Sequence, residues 1–148
     1  EYGTDVFLYI DKPRAEQSYT HLEDMNGGYM IENRESPDAH LESDYARVHF
    51  MLELDEPMEE PIYVSGRLTN WRYTEQNRLE YLVSSNIYTC TLLLKQGLYN
   101  YCYLVPGVEE NPNMLEGNYF QTRNSYQIIV YYRHPMLNTD IVAGYVTI

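Results

Sequence analysis

An all-β fold built from packed sheets is what this sequence predicts, on three observations. Tyrosine is abundant, 17 residues of 148 against 3 Phe and 1 Trp, and tyrosine favours strands, where its ring lies on a sheet face and its hydroxyl reaches water or a backbone group. Short runs of alternating apolar and polar residues recur between Gly, Pro and Asn punctuation. No segment carries a helical period long enough to predict a convincing helix.

The elements follow in order. Asp5 to Ile10 (DVFLYI) is a strand, and KPRAEQ connects it onward. Tyr19 to Asp24 and Gly28 to Asn33 are two short runs joined by MNGG. Asn-Gly is the strongest short hairpin signal, because both central positions of a type I′ turn need positive φ. Asn26 and Gly27 are therefore expected at a tight turn between antiparallel strands. RESPDAHLE, Arg34 to Glu42, is polar, contains Pro and reads as a linker. In DYARVHFMLEL, Asp44 to Leu54, the residues Ala46, Val48, Phe50, Leu52 and Leu54 fall on one face, which is predicted to meet the core, with His49 pointing outward. Pro61 to Gly66 is the next strand, LTNW a compact turn, and Leu79 to Val83 a short strand. NIYTCTLLL-KQG-LYNYCYLV reads as a hairpin, and Asn124 to Arg133 and Asp140 to Ile148 as two more strands. These nine or ten strands predict a β-sandwich of immunoglobulin type. Residues 42–148 have the size of one such sandwich. Residues 1–41 are expected to form an N-terminal β-hairpin extension, either the end of a preceding domain or strands packed on the sandwich.

Two registers are open for the cysteine hairpin. A three-residue Lys95-Gln96-Gly97 loop sets Cys90 opposite Cys102. A two-residue Gln-Gly loop sets Cys90 opposite Tyr103. Tyr99, Tyr101, Tyr103 and Val105 alternate as one face, and Tyr88, Cys90, Leu92 and Leu94 as another. This favours the second register and free thiols, since a one-residue slip turns every side chain over.

Composition narrows the function. Hydrophobic residues make up 44%, a globular and not a disordered composition. The net charge of -12 repels phosphate backbones, so nucleic acid is not an expected partner. No apolar run is long enough for a transmembrane helix, and no signal peptide is expected in these residues. Starting at Glu1 without an initiating Met, the chain is expected to be a processed product or an excised fragment. Catalytic signals are missing: there is no G-x-S-x-G, no phosphate-cradling glycine loop, and the four His are far apart with no C-x-x-C or H-x-x-x-H spacing. No enzyme activity, metal or cofactor is predicted. The DEPMEE run, Asp55 to Glu60, reads as a solvated charge cluster.

Two resemblances add to this. IYVSGRLTNW, Ile62 to Trp71, with the hairpin after it, resembles the early-set immunoglobulin-like domains of glycogen-binding modules. In those domains a Trp at this position closes the turn. The second covers the whole chain in order: DKPRA, EDMNGGYMI, DYARVHFML, LKQGLYNYCYLV, EGNYFQTRNSYQIIVYYRHP and IVAGYVTI. Together these are similar to the C-terminal region of the type IX secretion system plug proteins of Bacteroidetes. That resemblance implies a non-catalytic protein in the periplasm, occluding or contacting the periplasmic side of an outer-membrane translocon. Tyrosine gives large contact area at low entropic cost, so Tyr119, Phe120, Tyr131 and Tyr132 are the candidate partner-binding residues. The alternative function is a carbohydrate-binding module, with Trp71 and Tyr73 as stacking residues.

Overall fold

In this computed structural model the described residues are 3–20, 25–33, 38–108, 113–122 and 124–148. The fold is all-β, with ten strands among the described residues. A four-stranded sheet has the order β1-β3-β6-β5, from Thr4–Phe7, Tyr45–Glu53, Ile87–Lys95 and Glu80–Leu82. β1 runs parallel to β3, with Val6 beside Val48, and the other pairings are antiparallel. Facing it are two strand pairs: β2 (Tyr29–Ile31) with β7 (Gly97–Tyr99), and β4 (Tyr63–Ser65) with β8 (Cys102–Leu104). The last pair, β9 (Gln127–His134) with β10 (Thr139–Thr147), is a long antiparallel hairpin.

The core lies where the alternation pointed. Phe50, Leu52 and Leu54 of β3 and its continuation meet Tyr88 and Cys90 of β6, and Ile62, Val64, Tyr103 and Val105 close over them from the opposite layer. Each large side chain so buried contributes about 1.5–3 kcal/mol relative to exposure. Ala46 and Val48 share the inward face and are half-buried, while His49 lies on the outer face.

Three expectations need correction. The KQG segment does not close a hairpin: β6 stays in the four-stranded sheet, while β7 and β8 pair with β2 and β4 in the facing layer. Gln96 is the crossing point. Its N–H donates to the Asp44 carbonyl at 2.8 Å, and its own carbonyl accepts from Glu32 N–H at 3.3 Å. Gly97 permits the crossing, because a Cβ there would meet the Met30 carbonyl oxygen at 2.4 Å. Alternation survives a change of sheet, so sequence pattern alone does not separate this from a hairpin. Both cysteines are free; Cys90 lies on β6 and Cys102 on β8, in different sheets, so neither of the two hairpin registers relates them.

The Asn26-Gly27 turn is present, with φ of 51° and 72° and Gly28 N–H donating to the Met25 carbonyl at 2.9 Å. The strand leaving it, β2, pairs with β7. The strand expected before the turn falls largely on residues 21–24, outside the described residues. The segment expected to be a linker carries a short helix, α1 (Ala39–Glu42), because Asp38 caps it by accepting from Leu41 N–H at 3.3 Å. Among the described residues, no helix is long and apolar enough to cross a membrane.

Candidate functional site

The turn after β4 is the most constrained loop. Gly66 (φ 149°) opens a 3-10 turn over Arg67–Thr69, and Asn70 and Trp71 follow in the left-handed region at φ 52° and 57°. A bulky residue there is a genuine outlier. Two devices hold it. Asn77, 2% exposed, reaches into the loop: its Nδ2 donates to the carbonyls of Val64 and Arg72, both at 2.8 Å. Its Oδ1 accepts from Thr74 N–H at 2.9 Å and from the Thr74 hydroxyl at 2.6 Å. The second device is Gly27, whose absent side chain makes room for the Trp71 ring: a Cβ would lie 2.4 Å from it. Arg67 N–H donates to the Gly27 carbonyl at 2.8 Å, and Asn100 ties in the same turn through Met25 N–H at 2.5 Å.

Trp71 is 51% exposed and stands at the rim of a groove of about 1030 Å³, with Tyr99, Tyr101 and Tyr119 in the same wall. Tyr73, the other expected stacking residue, is not part of that wall and leans on Tyr63, ring centroids 5.3 Å apart. Tyr119 is partly buried, with its hydroxyl set between the backbone carbonyls of Arg14 and, at 2.8 Å, Gln17, which share its single proton. Its first task is therefore to fasten the loop to the N-terminal segment. Phe120, its neighbour, is 94% exposed.

The titratable groups below the groove are not activated. Tyr101 and Tyr103 donate to one Asp11 carboxylate oxygen at 2.7 and 2.8 Å. Burial, with Asp11 adding to it, pushes both phenols well above their ordinary range. Burial pushes the Cys90 thiol up to about 11 and the Cys102 thiol up to about 12, with Glu80 and Glu116 adding to the respective shifts. Neither is a thiolate at neutral pH, which is the form a nucleophile needs. Burial also raises Glu116, which accepts from Tyr103 N–H at 2.7 Å and pairs with Arg14 at 3.5 Å. Among the described residues no cluster of three or more His, Cys, Asp or Glu could hold a metal ion.

One outer-face cluster has the order of a proton relay. The Thr91 hydroxyl lies 2.9 Å from His49 Nδ1, and His49 Nε2 lies 2.9 Å from Asp5 Oδ1. Its surroundings point to a clamp and not a nucleophile. Arg47 grips both oxygens of Asp5, at 2.8 and 2.7 Å, and that hydrogen bonding, with His49 second, holds the carboxyl well below the usual carboxylate range. Phe7 stacks on the imidazole, centroids 4.3 Å apart. The cluster ties β1 across β3 to β6.

The hairpin is the largest feature that sequence reasoning undervalued. Tyr131 and Tyr132 are 63% and 51% exposed on its opposite faces. Every residue of β9 and β10 is exposed except His134 and Gly144, which are half-buried. The ribbon thus stands clear of the sandwich while carrying Ile, Val and Tyr on both sides. The signal was available: QIIVYY has no polar alternation, the pattern of a strand buried on both faces. No ring contact joins Tyr131 or Tyr132 to Tyr119 or Phe120 among the described residues.

No family model matches this chain, and no curated protein matches it. Among solved structures it is similar to the crystal structure of a hypothetical protein from Parabacteroides merdae ATCC 43184, with a TM-score of 0.85 and 35% sequence identity. The match covers 97% of this chain and 37% of that chain, so this chain spans well under half of that protein's length.

Proposed function

We propose that this chain is a non-catalytic protein-interaction module of a type IX secretion plug-like protein, an early-set immunoglobulin-like sandwich working on the periplasmic side of an outer-membrane translocon. One observation supports protein binding above all: the β9–β10 hairpin, apolar on both faces and exposed on both. Soluble proteins rarely leave a contiguous apolar surface of this kind uncovered, and such surfaces mark interaction sites. The inert thiols and phenols and the hydrogen-bonded clamp at His49 agree with a module that does no chemistry. The plug assignment rests on the resemblance of the ordered motifs from DKPRA to IVAGYVTI. The test is affinity purification of the complete tagged protein from detergent-solubilised envelopes of its source cell. A large outer-membrane barrel should co-purify; recovery from the soluble cytoplasmic fraction with no envelope partner refutes the assignment.

A second reading, carbohydrate binding, has one specific observation behind it: Trp71, half-exposed on a left-handed backbone at the rim of an aromatic groove. Titrating the purified chain with soluble glucans while following its single tryptophan tests this. Saturable quenching that Trp71→Ala abolishes would favour it over protein binding.

A further inference from the structure

Residues paired across an antiparallel ladder share a face. One face of the hairpin carries Ile128 opposite Val146 and Tyr132 opposite Ile141. The other carries Ile129 opposite Tyr145 and Tyr131 opposite Val142. Polar pairs are confined to its ends, Gln127 with Thr147 and Arg133 with Asp140. A lone two-stranded ribbon is marginal in water, and stability needs further strands or a packed layer. This ribbon needs cover on two faces and along two free edges.

A second copy of the chain meets that need poorly. Under two-fold symmetry one hairpin laid on its mate covers one face of each and leaves the other wet. Each copy also brings a net charge of -12, which opposes self-association. A larger sheet body has neither defect, and the solved neighbour shows where one can come from. With 97% of this chain inside the match, nearly all of the hairpin at the least falls inside it, in a protein with more than half its length outside the match. A body on the same polypeptide meets the hairpin at the effective concentration of a tethered partner, on the order of millimolar for a short linker.

We infer that the β9–β10 hairpin is buried by a further β-sheet domain of the same polypeptide, outside these 148 residues, which packs on both of its faces and continues the sheet from a free edge. This rests on the reading of the hairpin as a protein-binding element and names what it binds. The hairpin is then the joint that fixes the sandwich into the complete protein, and surfaces such as the Phe120 loop remain for an outside partner.

Hydrogen exchange on the 148-residue chain and on the complete gene product tests the inference, with sedimentation to fix the oligomeric state. In the complete monomer, amides of 128–132 and 141–146 should exchange at least 100-fold more slowly than in the 148-residue chain. Ile128→Asp on one face and Val142→Asp on the other should each abolish that gain, while β3 and β6 amides are unmoved. In the 148-residue chain both variants should leave the melting temperature unchanged. Equal exchange in the two wild-type proteins, with neither variant having an effect, overturns the inference and leaves the hairpin free for an outside partner, so the protein-binding reading is then decided by the envelope purification. A dimer of the 148-residue chain that protects its own hairpin overturns the inference and leaves that reading standing. Loss of protection with only one of the two variants overturns two-faced burial. Should a variant fail to fold, the comparison of the wild-type proteins still decides.

Discussion

Asn77→Ala isolates what holds the loop after β4. The side chain makes hydrogen bonds to two backbone carbonyls, one backbone N–H and one hydroxyl, all between 2.6 and 2.9 Å. A neutral hydrogen bond contributes about 0.5–1.5 kcal/mol net, and a buried group left unpaired costs about 1–3 kcal/mol. Thr74 and the Arg72 carbonyl lie where water can replace the lost partner. The Val64 carbonyl lies in a fully buried residue, where it cannot. The sum is about 3 kcal/mol. For a domain of this size that corresponds to a fall in Tm of about 6–12 °C. Urea denaturation followed by far-ultraviolet circular dichroism measures it, with an unchanged slope showing that stability and not compactness has moved. The emission of Trp71, on the same loop, should shift to longer wavelength below the transition. Asn77→Asp should cost at least as much, because it sets a carboxylate oxygen against the two carbonyls that Nδ2 now serves. A loss under about 1 kcal/mol for Asn77→Ala, below the worth of even two of these bonds, would show that the loop holds itself.

Further predictions concern other parts of the molecule. Asp5 has a folded value below its ordinary 3.8, so its stabilising contribution is complete above that pH and drains away as pH falls from there. Asp5→Asn should therefore lower Tm at pH 7, with the gap to wild type closing on acidification below about pH 4; a gap that stays constant with pH refutes the clamp. Gly27→Ala puts a Cβ into the Trp71 ring at a φ of 72° and should destabilise by about 2 kcal/mol or more, with a red-shifted tryptophan emission. Both thiols should resist an aromatic disulfide reagent at pH 8 in the native protein and react fully in guanidinium; one fast thiol in the native state contradicts the raised values at Cys90 and Cys102. Glu116→Gln keeps an acceptor for Tyr103 N–H while removing a carboxylate that burial disfavours, so it should be tolerated at pH 7, whereas Glu116→Ala loses the acceptor and should unfold at lower urea.

The all-β fold and much of its core were legible because burial follows alternation wherever a strand has one wet face, as in β3 with Phe50 and Leu52 inward and His49 outward. The Asn-Gly turn was legible because only residues that tolerate positive φ fit it. What pattern could not supply was which strand pairs with which. The run from Tyr88 to Val105 alternates identically whether the chain turns back at Lys95-Gln96-Gly97 or changes layer there, and the decisive fact, Gly97 against the Met30 carbonyl, comes from a strand more than sixty residues away in sequence. The candidate site was legible in part. Trp71 was visible as a turn residue, but its left-handed backbone depends on Asn77 and Gly27, which approach it from two other segments. Tyr131 and Tyr132 were visible as exposed aromatics. The larger signal was the lack of a polar face in QIIVYY, which says that something else must cover it.

The parallel seating of β1 on β3 and the β2–β7 ladder have a consequence for how the chain acquires its shape. Among the described residues, Tyr29–Ile31 pair with Gly97–Tyr99, which are made much later, and Thr4–Phe7 must wait for Tyr45–Glu53. Early segments are thus committed to late ones, a topology of distant partners that folds slowly and nearly all at once. Trimming the first thirty residues would not yield a tidier domain: it would bare the edge of β3 and strip β7 of its neighbour, leaving two open ladders prone to pair with whatever strand comes by.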